Sequence, residues 1–511
     1  MIVHQLIELG CQYFCLAPGS RSAPLVQALA SETRAQAIVC HDERSLGFFA
    51  LGIAKATQKP TVIIVTSGTA VANLFPAVVE ASQALVPLII LSADRPQELR
   101  ALGGNQTIDQ NHIFGRYARA FVDLPEEAPA EYVQNQVQEL YLRSMHPTPG
   151  PVQINCPFRE PFEQSSKQFS GLRSATRSYP ATKILNPHRL QSLHERLRIA
   201  QSGTVVVGHL RSPAEQKSVL QVIERLGWPA VCDISSGLRL LKHPLLRHDR
   251  QFDHVRPDLL LQIGGRLTLK ATHQWLHSLK GTTHFYLDPW LENQDPWLTV
   301  TDRFECDLEW FSEHCPVLPN SGQMFEVVET TLAKNDEEAW LARCVSQINW
   351  KDRVLFAGTS LPIRYLDRYG SAGSEIPWVV SNRGASGIDG IISTAAGLAL
   401  GCGKALVLLC GDMTFLHDVN GLSLLKNLSV PLLIVLVNNR GNGIFKSLPI
   451  ANSGQEIFER YFQTPHDYSL NKASELYGVS HWTTRSRTEF SERYQTSIAN
   501  NLSGVLEFQT T

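Results

Sequence analysis

From Met1 to about Glu163 the chain alternates short β-branched runs with longer stretches of helical spacing. Tyr13 to Ala17, Ala37 to Cys40, Thr61 to Thr66, Leu88 to Ser92 and Val152 to Asn155 read as strands, and Arg44 to Thr57 and Thr69 to Ser82 as helices between them. Strands regularly separated by helices predict a parallel, doubly wound sheet, because parallel neighbours need a long crossover. The pattern lapses from about Gln164 to Pro187, where Ser, Arg, Lys and Thr dominate, and this stretch is expected to be an exposed connection. A second set of strands follows at Thr204 to Val207, Ala230 to Asp233, Leu259 to Ile263 and His284 to Leu287. Pro316 to about Asp336 leads into a third set, at Trp378 to Ser381, Ala405 to Cys410, Leu432 to Val437 and Val505 to Phe508. The expected fold class is therefore α/β, with three consecutive doubly wound parallel-sheet domains over residues 1–165, 185–318 and 340–511.

Composition narrows the functional classes. A chain of 511 residues, 43% hydrophobic, can bury several cores. Its 46 basic and 48 acidic side chains leave a formal charge of −2, and no Lys/Arg-rich run suggests a nucleic-acid or membrane partner. Anion binding must then come from locally placed residues. The ten cysteines are scattered without a CxxC pair, which fits core thiols in a reducing compartment. The opening MIVHQLIELGCQYF is too short and polar for a signal peptide, and no run of about 18 apolar residues occurs, so a soluble, cytoplasmic protein is expected.

The sharpest chemical signal lies between Ala405 and Phe445: strand, Gly411-Asp412, helix, strand, then Asn438-Asn439-Arg440-Gly441. In an open parallel sheet ligands gather beyond the carboxyl ends of the strands, where Asp412 and Asn439 both fall, one crossover apart. Magnesium takes oxygen ligands octahedrally, a few from protein and others from phosphates. The Asp412 carboxylate, the Asn439 side-chain oxygen and the Gly441 carbonyl would supply the protein's share, with the amides after Gly411 facing the phosphates. The plain alternative for Gly-Asp after a strand is a turn with a helix cap.

This Gly-Asp and Asn-Asn spacing resembles the thiamine diphosphate signature of the pyruvate-decarboxylase-like superfamily, with Met413 standing where a third glycine is common. The resemblance implies thiamine diphosphate held through Mg²⁺ or Mn²⁺ in the third domain. It also implies a glutamate, after an early strand, that hydrogen-bonds the cofactor's aminopyrimidine and relays its proton; Glu43 in HDERSLGF stands at that place. The competing reading is that Asp42 and Glu43 merely favour the positive end of a helix dipole. In such enzymes the two ends of the cofactor are held by different subunits, so a homodimer or homotetramer is implied.

The stretches APGSRSAPL, TSGTAVANLFPAVVEAS, LSADRPQELR, GGNQTIDQ and SNRGASGIDGIISTAAG, with GDMTFLHDVNGL, resemble the 2-succinyl-5-enolpyruvyl-6-hydroxy-3-cyclohexene-1-carboxylate synthase family. That family decarboxylates 2-oxoglutarate and adds the remaining carbanion to isochorismate, in menaquinone and phylloquinone synthesis. Both substrates are dicarboxylates, for which fixed guanidinium groups are suited. The resemblance assigns Arg21, Arg95, Arg364 and Arg383 to substrate carboxylates, together with Lys270 of the central domain, and Ser20 and Gln106 to polar contacts around the reacting atoms. It assigns Ile388 to the prop that bends the cofactor, and Ile444 and Phe445 to an apolar wall. His41 and His417 adjoin the motifs but are read as packing or hydrogen-bonding residues. The central domain matches weakly outside Lys270, and the first helix is expected to be shortened. The alternatives are another thiamine diphosphate-dependent decarboxylase or carboligase, and a catalytically silent cofactor-binding protein.

Overall fold

A computed structural model describes residues 1–162, 176, 178–247, 255–290, 292, 294–319, 332–333 and 336–510. It contains three six-stranded sheets, in each of which every recorded pairing is parallel. The first has strands β1 (Tyr13–Leu16), β2 (Gln36–Val39), β3 (Thr61–Val65), β4 (Leu88–Asp94), β5 (Ala120–Asp123) and β6 (Pro151–Pro157), in the order β2-β1-β3-β4-β6-β5. The second has β7 (Gly203–Val207), β8 (Ala230–Cys232), β9 (Leu246–Arg247), β10 (Leu259–Ile263), β11 (Thr283–Asp288) and β12 (Asp302–Glu305), ordered β12-β11-β10-β7-β8-β9. The third has β13 (Arg353–Ala357), β14 (Trp378–Val380), β15 (Ala405–Gly411), β16 (Leu432–Asn438), β17 (His481–Thr484) and β18 (Gly504–Gln509), ordered β14-β13-β15-β16-β18-β17.

Central strands such as Thr61–Val65 and Leu432–Asn438 are buried throughout, so they show as continuous apolar runs. Four strands absent from the pattern, β5, β9, β12 and β17, lie at sheet edges, where one flank needs no apolar partner. Asp302–Glu305 and His481–Thr484 accordingly carry mixed, half-exposed residues. β13 is interior and also escaped the pattern. The single helix expected over Thr69 to Ser82 is two, Thr69–Ala72 and Phe75–Ala84, with Pro76 in the opening turn of the second. A seven-residue helix, Ile2–Glu8, opens the chain. The connections expected at Gln164 to Pro187 and Pro316 to Asp336 lie largely outside the described residues.

The first and third sheets are joined by helix Glu43–Thr57 packed on helix Ile391–Cys402. Small residues permit this approach: a Cβ at Gly52 would lie 2.1 Å from the Thr394 carbonyl oxygen, and one at Gly397 would lie 1.9 Å from that of Phe49. Buried on nearly all sides from Ser45 to Lys55, the first of these helices belongs to one hydrophobic core with the second. The central sheet keeps cores of its own.

Candidate active site

β15 and β16 are adjacent and in register, Gly411 opposite Val437, so the residues just past their ends share one rim of the sheet. There the Asp412 carboxylate accepts hydrogen bonds from the Gly441 amide (2.9 Å) and from His466 Nε2 (3.1 Å). Its other oxygen accepts from the Met413 amide at 2.7 Å. Burial raises the pKa of Asp412, against the opposing pull of these donors. A buried carboxylate of this kind is suited to a cation. Gly441, at φ +148°, permits the turn, since a Cβ there would meet the Gln463 carbonyl at 2.4 Å. The helix expected after Gly-Asp is only six residues, Asp412–His417, and continues as a 3₁₀ turn from Val419 to Asn427.

The two asparagines divide their work. Asn438 is structural: its amide donates to Glu507 on β18 (2.6 Å) and its oxygen accepts from the Arg440 amide (3.0 Å). With His481, Asn438 and Gln509 all donating to it, Glu507 has its pKa pulled down to about 2 despite burial. Asn439 instead donates through Nδ2 to Glu338 (2.9 Å), while its buried Oδ1 accepts nothing among the described residues. A buried, unsatisfied amide oxygen beside a buried carboxylate fits a hard cation whose remaining ligands come from phosphate and water. Among the described residues no cluster of three His, Cys, Asp or Glu side chains could hold a metal by itself. Ile444 and Phe445 follow in a 3₁₀ turn, Gly443–Ser447, both half-buried.

Glu43 is the first residue of its helix, yet it does not cap it. Asp42 does, accepting from the Arg44 and Ser45 amides at 2.8 and 3.3 Å. Asp42 and Arg44 also grip the third domain: Asn420 donates to Asp42 at 2.7 Å, and Arg44 donates to the His417 carbonyl at 2.8 Å. Half-buried Glu43 makes no hydrogen bond or ion pair among the described residues, so neither capping nor an ion pair accounts for it.

The arginines form two pairs. Arg21 and Arg95 are close enough for Arg21 to depress the pKa of Arg95, after desolvation. Arg21 donates to the Phe158 carbonyl and to Glu160, both at 2.8 Å, while Arg95 donates to Ser67 Oγ (3.2 Å) and to the Gln106 and Asn105 carbonyls. Gln106, at φ +56°, is folded back so that its own amide donates to the Ser67 carbonyl (3.0 Å). Ser20 is exposed beside Arg21. In the third domain Arg364 and Arg383 form the second pair, with burial first and then Arg383 lowering the Arg364 pKa. Lys270 stands exposed at the start of helix Lys270–Ser278, with no recorded contact to either pair.

Several further residues, not assigned a role from the sequence, hold the loops that carry these candidates. The Arg383 loop is held by the first domain: Lys55 donates to the Ser381 carbonyl (2.7 Å) and Asn382 (2.8 Å), and Glu80 accepts from the Gly384 and Ala385 amides at 2.9 and 2.6 Å. Lys55 and Glu80 lie 3.6 Å apart, almost fully buried. Arg383 also faces a cleft where the three domains meet, lined by Lys55, His209, Arg211 and Arg266; Asp412, Asn439 and Glu43 do not line it. Ser360, at φ +69° directly before the Arg364 helix, accepts from Arg364 through its carbonyl. A serine rarely takes that conformation outside a site that demands it. Ile388 is half-buried in the loop after Arg383. His466 lies in no motif, and although Lys55, Glu80 and Ser360 fall within or beside motif stretches, only their long-range partners reveal what they hold.

Three family models match the chain in order: the N-terminal TPP binding domain of thiamine pyrophosphate enzymes over residues 1–113, their middle domain over 181–357, and their C-terminal TPP binding domain over 373–508. Among solved structures, benzoylformate decarboxylase from Polynucleobacter necessarius superposes with a TM-score of 0.83 at 16% identity, covering 100% of this chain and 98% of that one. A putative thiamin diphosphate-dependent enzyme from Mycobacterium smegmatis gives 0.77 at 18% identity, covering 99% and 98%. These likenesses establish the fold. Relatives named 2-succinyl-5-enolpyruvyl-6-hydroxy-3-cyclohexene-1-carboxylate synthase are far closer in sequence. That of Rubrobacter xylanophilus is 38% identical over 100% of this chain and 94% of its own length, and that of Chlorobium luteolum is 38% identical over 96% and 90%. With its three sheets matched end to end and its Asp412–Asn439 rim intact, the chain belongs to the 2-succinyl-5-enolpyruvyl-6-hydroxy-3-cyclohexene-1-carboxylate synthase family of thiamine diphosphate enzymes.

Proposed function

We propose that this protein decarboxylates 2-oxoglutarate and joins the remaining four-carbon unit to isochorismate, releasing CO₂ and forming 2-succinyl-5-enolpyruvyl-6-hydroxy-3-cyclohexene-1-carboxylate for menaquinone or phylloquinone synthesis. Full-length identity to synthases of that name carries the reading. Thiamine diphosphate, when bound, supplies the electron sink that decarboxylation of a 2-oxo acid requires. The chain's own residues hold, orient and exchange protons around it. Asp412, the Asn439 oxygen and the Gly441 carbonyl would hold Mg²⁺ or Mn²⁺ at the rim past β15 and β16, where it would supply positive charge to neutralise a diphosphate. Gly411 and Met413 border the same rim, while Ile388, Ile444 and Phe445 form the apolar side that supports the ring system.

Glu43, left without a partner, hydrogen-bonds the aminopyrimidine and moves its proton. Arg21 and Arg95 from one domain and Arg364 and Arg383 from another fix the substrate carboxylates, with Ser20 and Gln106 beside the reacting atoms and Lys270 at the outer edge. The likeness to enzymes whose cofactor is held between subunits supports an active homodimer, or a tetramer of such dimers, that brings Glu43 of one copy to Asp412 of the other. A cytoplasmic setting accords with ten free cysteines, and no helix among the described residues is long and apolar enough to cross a membrane.

The test is 2-oxoglutarate consumption with thiamine diphosphate and Mg²⁺, with and without isochorismate. Isochorismate-dependent product formation that falls about 10² to 10⁴-fold in Glu43→Gln is expected from loss of a proton-transfer group. Turnover of pyruvate in place of 2-oxoglutarate would indicate a different decarboxylase, and cofactor binding with no turnover a silent binder.

A further inference from the structure

Glu338 lies 101 residues from Asn439 in sequence, at the second position of helix Glu337–Ser346, and belongs to no motif. An acidic residue in a first helical turn is ordinarily explained by the helix dipole. Here the cap is already provided by Asp336, which accepts from the Ala339 amide at 2.9 Å. Glu338 is turned inward instead, near enough to Asp412 for the two carboxylates to repel, and accepts the Asn439 amide at 2.9 Å. An ionised carboxylate can only accept, so it takes the NH₂ end of the asparagine and leaves the oxygen end facing the other way. That oxygen is the buried atom with no partner among the described residues. Without Glu338 the planar amide would lose the contact that distinguishes its two ends, and half of its settings would point N–H groups at the cation.

We propose that Glu338 is a positioning residue, whose contact with Asn439 orders the amide so that its oxygen, and not its nitrogen, faces the cation held with Asp412. The inference rests on the reading of Asp412 and Asn439 as cation ligands. Glu338 acts in it through Asn439 alone, and outer contacts of this type commonly set metal affinity by about 10 to 100-fold.

The experiment titrates the full-length, metal-stripped protein with Mn²⁺ in the presence of thiamine diphosphate, reading free Mn²⁺ by electron paramagnetic resonance. Thermal melting of each variant checks its fold. Glu338→Met is expected to weaken Mn²⁺ binding by about 10 to 100-fold, and Glu338→Gln, which keeps an oxygen acceptor, to weaken it less. An aspartate at position 439 offers oxygen whichever way it turns. In an Asn439→Asp background Glu338→Met should therefore leave Mn²⁺ affinity unchanged or raise it. Equal losses from Glu338→Met in both backgrounds, or from Gln and Met alike, would overturn the positioning role, as would no loss at all. Asp412→Asn separates the two readings: if it leaves Mn²⁺ binding intact, the cation site itself is misplaced, whereas loss in Asp412→Asn beside full binding in Glu338→Met refutes the inference alone.

Discussion

At the scale of single residues the adjacent asparagines make the sharpest contrast. Asn438 ties its turn to Glu507 of β18, whereas Asn439 leaves an oxygen free. Asn438→Ala should cost about 1 to 3 kcal/mol, because it strips a donor from a buried carboxylate, and this is measurable by denaturant unfolding of the protein without cofactor. Asn439→Ala strips a donor from Glu338 in the same way, but it alone of the two should abolish metal-dependent retention of thiamine diphosphate. The reverse pattern would exchange their roles. The motif spacing already singled out Asn439 as the ligand, but it did not show that Asn438, the last residue of the strand, is held by Glu507. Glu43 illustrates the same point: its neighbour Asp42 performs the capping that either acid could have provided.

At the scale of elements, buried polar contacts bind the first domain to the loops of the third. Lys55→Met would leave Glu80 buried without its cation, a change that costs about 3 to 5 kcal/mol in comparable pairs, moderated here by the two loop amides that Glu80 still accepts. It should lower the melting temperature and, because the loop bears Arg383, raise KM for 2-oxoglutarate more than it lowers kcat. An unchanged KM would detach that loop from the substrate. A second joint is pH-sensitive. Asp418 accepts from the Ser45 hydroxyl of the first domain (3.5 Å) and from the Ser393 amide (2.7 Å) and hydroxyl (2.9 Å), and burial pushes its pKa up to about 6. The folded state thus binds a proton that the unfolded chain releases near pH 4. The contribution of Asp418 to stability is fully present below its ordinary pKa and is lost as pH rises through about 6. Melting curves of wild type and Asp418→Asn should therefore diverge between pH 7 and 4, wild type gaining relative to the variant on acidification. Parallel curves would contradict this.

At the scale of the whole molecule, the proposed site draws Glu43, Arg21 and Arg95 from the first domain and Asp412, Arg364 and Arg383 from the third. If two copies share each site, Glu43→Gln and Asp412→Asn proteins, each inactive alone, should regain activity when co-expressed or mixed and allowed to exchange subunits. A mixed dimer would contain one site with both residues intact. No recovery, with subunit exchange demonstrated, would place both residues within one chain's site.

Much of the architecture was legible before any coordinates. Buried parallel strands are continuous apolar runs, and the Gly411-Asp412 and Asn438-Asn439 pairs fall at strand ends because a parallel sheet places ligand-binding residues there. Edge strands such as Asp302–Glu305 were not legible, since a half-exposed strand needs no apolar signature. Local pattern and motif spacing thus determined most strands of the three sheets, the rim proposed for the cation and the candidate proton relay. Only the tertiary structure showed that Asp42 caps the helix and Glu43 does not, that Asn438 braces on Glu507, and which groups Lys55, Glu80, His466 and Glu338 contact. Those roles depend on hydrogen bonds between buried groups distant in sequence, and a short polar side chain acquires such a partner only when packing brings the two together.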